Sequence, residues 1–276
     1  MSLNVFGCPT TSLSSHAAVI ANKPSEDNED KAYHSCGIWP LASHINHSCT
    51  STARRSFIGD MMLVRATRDM ERGTEIVFWY QVPDGYAVQK MQDTLRLTWG
   101  FACTCAMCTD AQQTHASVLA QRRTLMEKLK SLCKAAAASQ KTPTSKVENV
   151  LKALGNTYSR PADQVPRLLL WDPQLLLTRV YMARGDAKKA LESVQQVFVH
   201  LGFVVAGTES VAADFEIVKW GLVVGHLVEA FLHARDAYRG MGAWGNAKRA
   251  EGYARIAYKV VVGEDSSFES TYAQRV

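Results

Sequence analysis

The stretch Ser43-His44-Ile45-Asn46-His47-Ser48-Cys49 decides how this chain is read, together with Phe101-Ala102-Cys103-Thr104-Cys105-Ala106-Met107-Cys108 further along. Three thiols spaced C-x-C-x-x-C cannot close a tetrahedral zinc site, which takes four ligands, and Cys49 is the obvious supplier of the fourth. Four thiolates leave no open position for water or substrate, so zinc held by Cys49, Cys103, Cys105 and Cys108 is structural. It would pin the loop carrying Asn46 and His47 against the segment carrying Trp99 and Phe101, which is a way to build a pocket. It would also couple folding to metal. Taken alone, Asn46 and His47 are either part of that pocket or hydrogen-bonded core residues. Trp99 and Phe101 are likewise either core aromatics or a pocket wall.

The rest of the composition sets the frame. At 276 residues with 47% hydrophobic content, the chain can bury a large core and form one to two domains. The start, Met1-Ser2-Leu3-Asn4-Val5-Phe6-Gly7-Cys8, lacks the basic and long apolar regions of a signal peptide, and no apolar run reaches membrane-spanning length. An intracellular protein without a membrane role is expected, in nucleus or cytoplasm. Seven cysteines, four of them fitting a metal site, read as reduced thiols rather than a disulfide framework. Cys8, Cys36 and Cys133 are then expected to be buried small hydrophobes. The net charge of +5 suits acidic surfaces without demanding them, and direct nucleic-acid binding is not predicted.

Outward from the opening motif, Leu13 to Ile20 is a short strand or helix that periodicity does not decide, and Lys23 to Lys31 is an acidic, proline-broken, solvated loop. Gly59-Asp60 marks a tight turn between two short strands, and Thr74 to Tyr80 adds a β-rich run ending in a phenol. Pro83-Asp84-Gly85 is a turn. Tyr86 to Thr98 reads as a helix with Met91, Leu95 and Trp99 near one face, delivering the chain to the cysteine cluster. Beyond Thr109 the pattern is helical to the end, so a domain boundary is expected near residue 110. Within that half Tyr181, Gly185 and Ala190 recur as Tyr238, Gly242 and Ala247 at the same intervals, as in tetratricopeptide (TPR) helix pairs or an ordinary bundle with small residues at its crossings.

The ordered series Ser43-x-x-Asn46-His47-Ser48-Cys49, Gly59-Asp60, Arg65-Ala66, Gly73-Thr74-Glu75 running to Tyr80, and Trp99-Gly100-Phe101-x-Cys103-x-Cys105-x-x-Cys108 resembles the C-terminal half of a SET domain. More narrowly it is similar to the SET-and-MYND (SMYD) lysine methyltransferases and related fungal SET proteins with helical C-terminal regions. The resemblance covers residues 37–108, and the helical remainder matches in character only. It implies an α+β fold: a small β-rich SET fold over residues 1–98, a zinc-binding post-SET segment at 99–110, and a TPR-like all-α domain at 111–276. It implies a knot-like passage of the Asn-His strand by the Tyr-bearing segment. By analogy S-adenosylmethionine is held by Asn4, Ser43, Asn46, His47, Trp99 and Phe101, Tyr80 is the catalytic phenol, and the substrate is a protein or peptide lysine.

Three departures stand against the family pattern. After Asn-His-Ser-Cys the family continues x-Pro-Asn, where this chain has Thr50-Ser51-Thr52. No Gly-x-Gly segment precedes Asn4, and no cysteine-rich MYND insertion is present. The expectation is therefore a SET protein lacking its N-terminal strands, either an active divergent enzyme or a shortened form. The alternative is a non-catalytic, zinc-stapled SET and TPR-like interaction module.

Overall fold

A computed structural model of the chain describes residues 6–8, 11–21, 35–83, 85, 88–138 and 144–272. Asn4, the acidic loop at 23–31, Asp84 and residues 86–87 lie outside the described residues. The first strands, β1 (Phe6–Cys8) and β2 (Ser35–Gly37), pair antiparallel. Between them the segment that periodicity left open is a helix, α1 (Ser12–Ile20), because the Thr11 hydroxyl caps it by accepting the Ser14 N–H at 3.0 Å. After a single 3-10 turn (Ala42–His44) come β3 (Asn46–His47), β4 (Ala53–Ile58) and β5 (Met61–Ala66). As expected, β4 and β5 form a hairpin turned at Gly59-Asp60, in register from Ala53 opposite Ala66 to Ile58 opposite Met61.

The run from Thr74 to Tyr80 is a strand only at β6 (Val77–Phe78), which pairs parallel with β3: Asn46 lies opposite Val77 and His47 opposite Phe78. A parallel ladder extends only as far as its partner. β3 is two residues long, between the 3-10 turn and the bend at Cys49, so Thr74 to Ile76 stay outside any ladder and exposed. Next, α2 (Val88–Trp99) buries Met91, Gln92 and Leu95, and α3 (Ala106–Gln113) starts directly after Cys105.

The remainder is mainly helical: α4 (Ala116–Ala138), α5 (Thr144–Gly155), α6 (Leu168–Ala183), α7 (Ala187–His200), α8 (Leu227–Gly240), α9 (Trp244–Val262) and α10 (Phe268–Tyr272). The recurrence seen in the sequence is realised as two helical hairpins, α6–α7 and α8–α9, closed by the same turn. The Gly185 N–H bonds the Met182 carbonyl and the Asp186 N–H the Tyr181 carbonyl; the Gly242 N–H bonds Arg239 and the Ala243 N–H bonds Tyr238. These are paired Schellman caps, and both glycines sit at φ 74°, a left-handed conformation that a side chain disfavours. Ala190 and Ala247, each on the second helix of its hairpin, are buried.

Contrary to the expectation of helix to the end, α7 and α8 are joined through a β-hairpin, β7 (Val204–Ala206) with β8 (Glu216–Lys219). Its strands are too short to show a period in sequence. It exists because Phe203, Phe215 and Ile217 plug the space beside Phe198, Phe231 and Tyr238, and all six are buried.

The SET-like part backs onto these helices. α9 ends at Gly263, φ 103°, where a Cβ would come within 2.9 Å of Ser56 Oγ on β4. His16 of α1 meets the Tyr272 hydroxyl at 2.8 Å, and the Arg54 guanidinium donates to the Val223 carbonyl. Burial, with Arg55 beside it, pushes Arg54 down to about 10. Inside the bundle, Arg179 of α6 forms a two-pronged pair with Glu229 of α8, at 2.8 Å for each bond. Burial alone would push Glu229 up, but hydrogen bonds from His226, His233 and Arg179 hold it well below the carboxylate range.

Candidate active site and metal centre

The four expected cysteines come together. The Sγ atoms of Cys49, Cys103, Cys105 and Cys108 all lie within 4.8 Å of one another. Cys49 is 3.8 Å from Cys103 and 3.5 Å from Cys108. A zinc tetrahedron with Zn–S bonds of about 2.3 Å has S···S edges of about 3.8 Å, so the set fits that ion. Cys49, Cys103 and Cys108 are buried beside Met91 and Leu95, which supplies the dry shell. Hydrogen bonding led by Cys103 pushes the Cys49 thiol up, while hydrogen bonding led by Cys105 holds Cys103 far down. A dication removes that conflict by binding every sulfur as thiolate.

Gln92 locks the cluster to α2. Its amide donates to the Cys103 carbonyl at 2.9 Å and accepts the Cys103 N–H at 2.9 Å. Sequence reading missed this residue, although its signal was present: a glutamine on the face that Met91 and Leu95 commit to burial. The leftover cysteines differ from expectation. Cys36 is exposed because β2 belongs to a small outer pair, and Cys133 is half-buried, its thiol pushed up to about 11 by burial and by Asp172. The side chain of Cys8 lies outside the described residues.

Next to the metal centre, Tyr80 stands among aromatic rings. Its centroid is 5.4 Å from Trp99, 5.6 Å from His47, 5.8 Å from Phe78 and 6.1 Å from Phe101. The phenol hydroxyl donates to the Ile45 carbonyl at 2.8 Å, and the Tyr80 N–H donates to His47 Nδ1 at 3.0 Å. Burial raises the Tyr80 hydroxyl above its ordinary pKa against the opposing charge of Arg55, so it stays protonated at neutral pH.

Of the other expected site residues, Asn4 lies outside the described residues, and the rest are placed as follows. Asn46 is exposed, with its amide donating to Glu75 Oε1 at 2.7 Å, and the Ser43 hydroxyl donates to the Trp39 carbonyl at 3.0 Å. Trp99 and Phe101 are half-buried. The His47 ring is buried and turned away from solvent, its Nε2 lying 3.5 Å from Cys49 Sγ. Trp79 was not singled out by sequence, yet its indole N–H donates to the Cys49 carbonyl at 2.9 Å and holds the metal loop against β6.

Residues 11–81 match the family model of the SET domain, so that stretch of the chain is a SET domain. Its similarities run to methyltransferases. A methyltransferase of Gibberella zeae is 33% identical over 275 residues, covering 97% of this chain and 37% of that protein. A histone-lysine N-methyltransferase SET5 of Meyerozyma guilliermondii is 36% identical over 85 residues, 28% of this chain and 17% of that protein. A protein-lysine N-methyltransferase SMYD4 of Homo sapiens is 34% identical over 82 residues, 29% of this chain and 10% of that protein. The chain thus spans 37% or less of each of these curated relatives. No described helix is long and apolar enough to cross a membrane.

Proposed function

We propose that the chain carries the methyl-transferring site of a protein-lysine methyltransferase, with S-adenosylmethionine as methyl donor and a lysine ε-amine of a protein or peptide as acceptor. The observation that supports this most is Tyr80: a protonated phenol, fixed at its hydroxyl by Ile45 and walled by His47, Trp99 and Phe101, at the edge of a SET domain. S-adenosylmethionine supplies a methyl on a sulfonium cation. The residues present suit such a ligand, since aromatic rings such as the half-buried Trp99 and Phe101 attract a cation or an adenine ring, and the exposed Asn46 amide and the Ser43 hydroxyl offer polar contacts.

Tyr80 is not the base. With its own proton held, the phenol can orient a neutral amine and present an oxygen dipole where positive charge builds. The lysine proton must therefore leave to water. Transfer requires the amine lone pair within about 3–3.5 Å of the methyl carbon along the donor axis, so the aromatic walls act by excluding water and limiting the angle.

We read residues 1–98 as the SET part, 99–110 as the zinc segment and 111–276 as a TPR-like scaffold that presents the partner protein, in a nuclear or cytoplasmic setting. A non-catalytic module is the weaker reading, because the similar proteins are named methyltransferases. The test is calorimetric titration of zinc-replete protein with S-adenosylmethionine, then methyl transfer to lysine peptides and histones. Tyr80→Phe should keep cofactor binding and lower transfer by about 10²-fold or more. Absence of binding heat, or an undiminished rate in the variant, would overturn the proposal.

A further inference from the structure

We infer that His47 is a positioning residue that transmits zinc loading to Tyr80. Only its catalytic consequence rests on the proposed role of Tyr80. The chemistry is set by the two ring nitrogens. Nδ1 accepts the Tyr80 backbone N–H at 3.0 Å, so its lone pair is committed and the ring proton must sit on Nε2. Nε2 lies 3.5 Å from Cys49 Sγ, a reach suited to an N–H donor on a large sulfur acceptor. His47 is 8% exposed, so water competes little for either contact.

The segment 45–47 thereby grips Tyr80 at both ends. The Ile45 carbonyl accepts the phenol hydrogen bond at 2.8 Å, the His47 ring accepts that of the backbone N–H, and the two rings meet edge to face with centroids 5.6 Å apart. Zinc held at Cys49 would strengthen the Nε2–H···S contact by charge assistance and hold the tautomer that Tyr80 needs. Without the ion, Cys49 is not tied to the other three sulfurs, and the anchor of Nε2 is weaker. Zinc at this centre therefore does more than staple two loops: it sets the position of a phenol that touches none of its ligands. The side chain of His47 is spent on this relay, leaving its backbone for the cofactor.

Two substitutions split the relay. His47→Asn keeps an acceptor in the place of Nδ1 and removes the donor to Cys49. His47→Gln keeps a donor able to reach Cys49 and removes the Nδ1 acceptor. Zinc affinity is read by competition with a chromogenic chelator, and the grip on Tyr80 by hydrogen exchange of its backbone amide. His47→Asn should weaken zinc by about 10–100-fold, the cost typical of a lost outer-shell partner, while His47→Gln should leave zinc affinity at the wild-type value. His47→Gln should speed Tyr80 amide exchange about tenfold, the worth of one hydrogen bond. The unmutated protein supplies a control free of folding defects: stripping its zinc should speed Tyr80 exchange by a similar factor and leave Tyr238 on α8 unchanged. Unaltered Tyr80 exchange after zinc removal, or wild-type zinc affinity in His47→Asn, would overturn the inference. Neither readout involves methyl transfer, so an inactive protein with both responses intact would count against the proposed function alone.

Discussion

Replacing Cys49 by serine should cost the fold about as much as cutting one long cross-link, and the sequence distances say how much. Cys103, Cys105 and Cys108 lie within six residues, so zinc bound to them closes only short local loops, which it can do in the unfolded chain as well. Zinc held this way stabilises little, because a ligand that also binds the unfolded state shifts the equilibrium less. Cys49 stands 54 residues from Cys103, and joining them removes the entropy of that loop from the unfolded ensemble. In the chain-entropy model for a covalent link, a loop of about 54 residues is worth about 4 kcal/mol. The assay is urea unfolding followed by intrinsic fluorescence, to which Trp79 and Trp99 beside the centre contribute, with zinc and with a chelator. Chelation should lower the unfolding free energy of the wild type by about 4 kcal/mol more than that of Cys49→Ser. Cys36→Ser, at an exposed thiol away from the cluster, should behave as wild type. Equal responses to chelator in wild type and Cys49→Ser would refute the reasoning, since Cys49 would then not be a ligand in solution.

Acid should weaken the helical half through His200. Burial, helped by Arg167, pushes its imidazole down to about 4. An unfolded histidine titrates near 6.5, so the folded state binds protons less readily, and the stabilisation is full above about pH 6.5 and lost as pH falls toward 4. The loss should reach about 3 kcal/mol, and His200→Gln should flatten it; denaturant midpoints that fall equally in both proteins over that window would contradict this. The repeated helix caps give a second check. Gly185→Ala or Gly242→Ala forces a side chain into a left-handed φ of 74° and should cost about 1–2 kcal/mol each in thermal or denaturant unfolding, whereas neutral substitutions would mean the turns relax freely.

What could be read from sequence was whatever depends on residue type at fixed spacing. The four thiols, the Gly59-Asp60 hairpin and the Tyr-Gly-Ala recurrence are of that kind, since metal valence, turn geometry and helix closure each demand particular residues. What could not be read depends on which surfaces meet. The β7–β8 hairpin is held by Phe203 and Phe215 packing on α7 and α8, and strands of three and four residues carry no period of their own. The unpaired stretch Thr74–Ile76 reflects the shortness of its partner strand, a property of β3 and not of β6. Gln92 and the His47 ring escaped because hydrogen bonds across 11 and 33 residues leave no local pattern.

The departure from the family pattern after Cys49 has a physical reading in the same terms. Two residues of parallel ladder are a weak device for setting register, and a slip of one would place Phe78 opposite Asn46 and carry the Tyr80 N–H off the His47 ring. Thr52 stands where the resembled family has asparagine, and it clamps the register instead. Its N–H donates to the Val77 carbonyl at 3.0 Å, its hydroxyl oxygen accepts the Val77 N–H at 2.9 Å, and that hydroxyl lies 3.1 Å from the Glu75 carbonyl that it serves as donor. With 4% of its surface exposed, the side chain makes these bonds in a dry setting where a lost partner is costly. A threonine can satisfy both a donor and an acceptor of the facing strand, so the loop changes its residues without loosening the grip on β6. The departure at Thr52 is thus part of what holds Tyr80 in register with the metal loop.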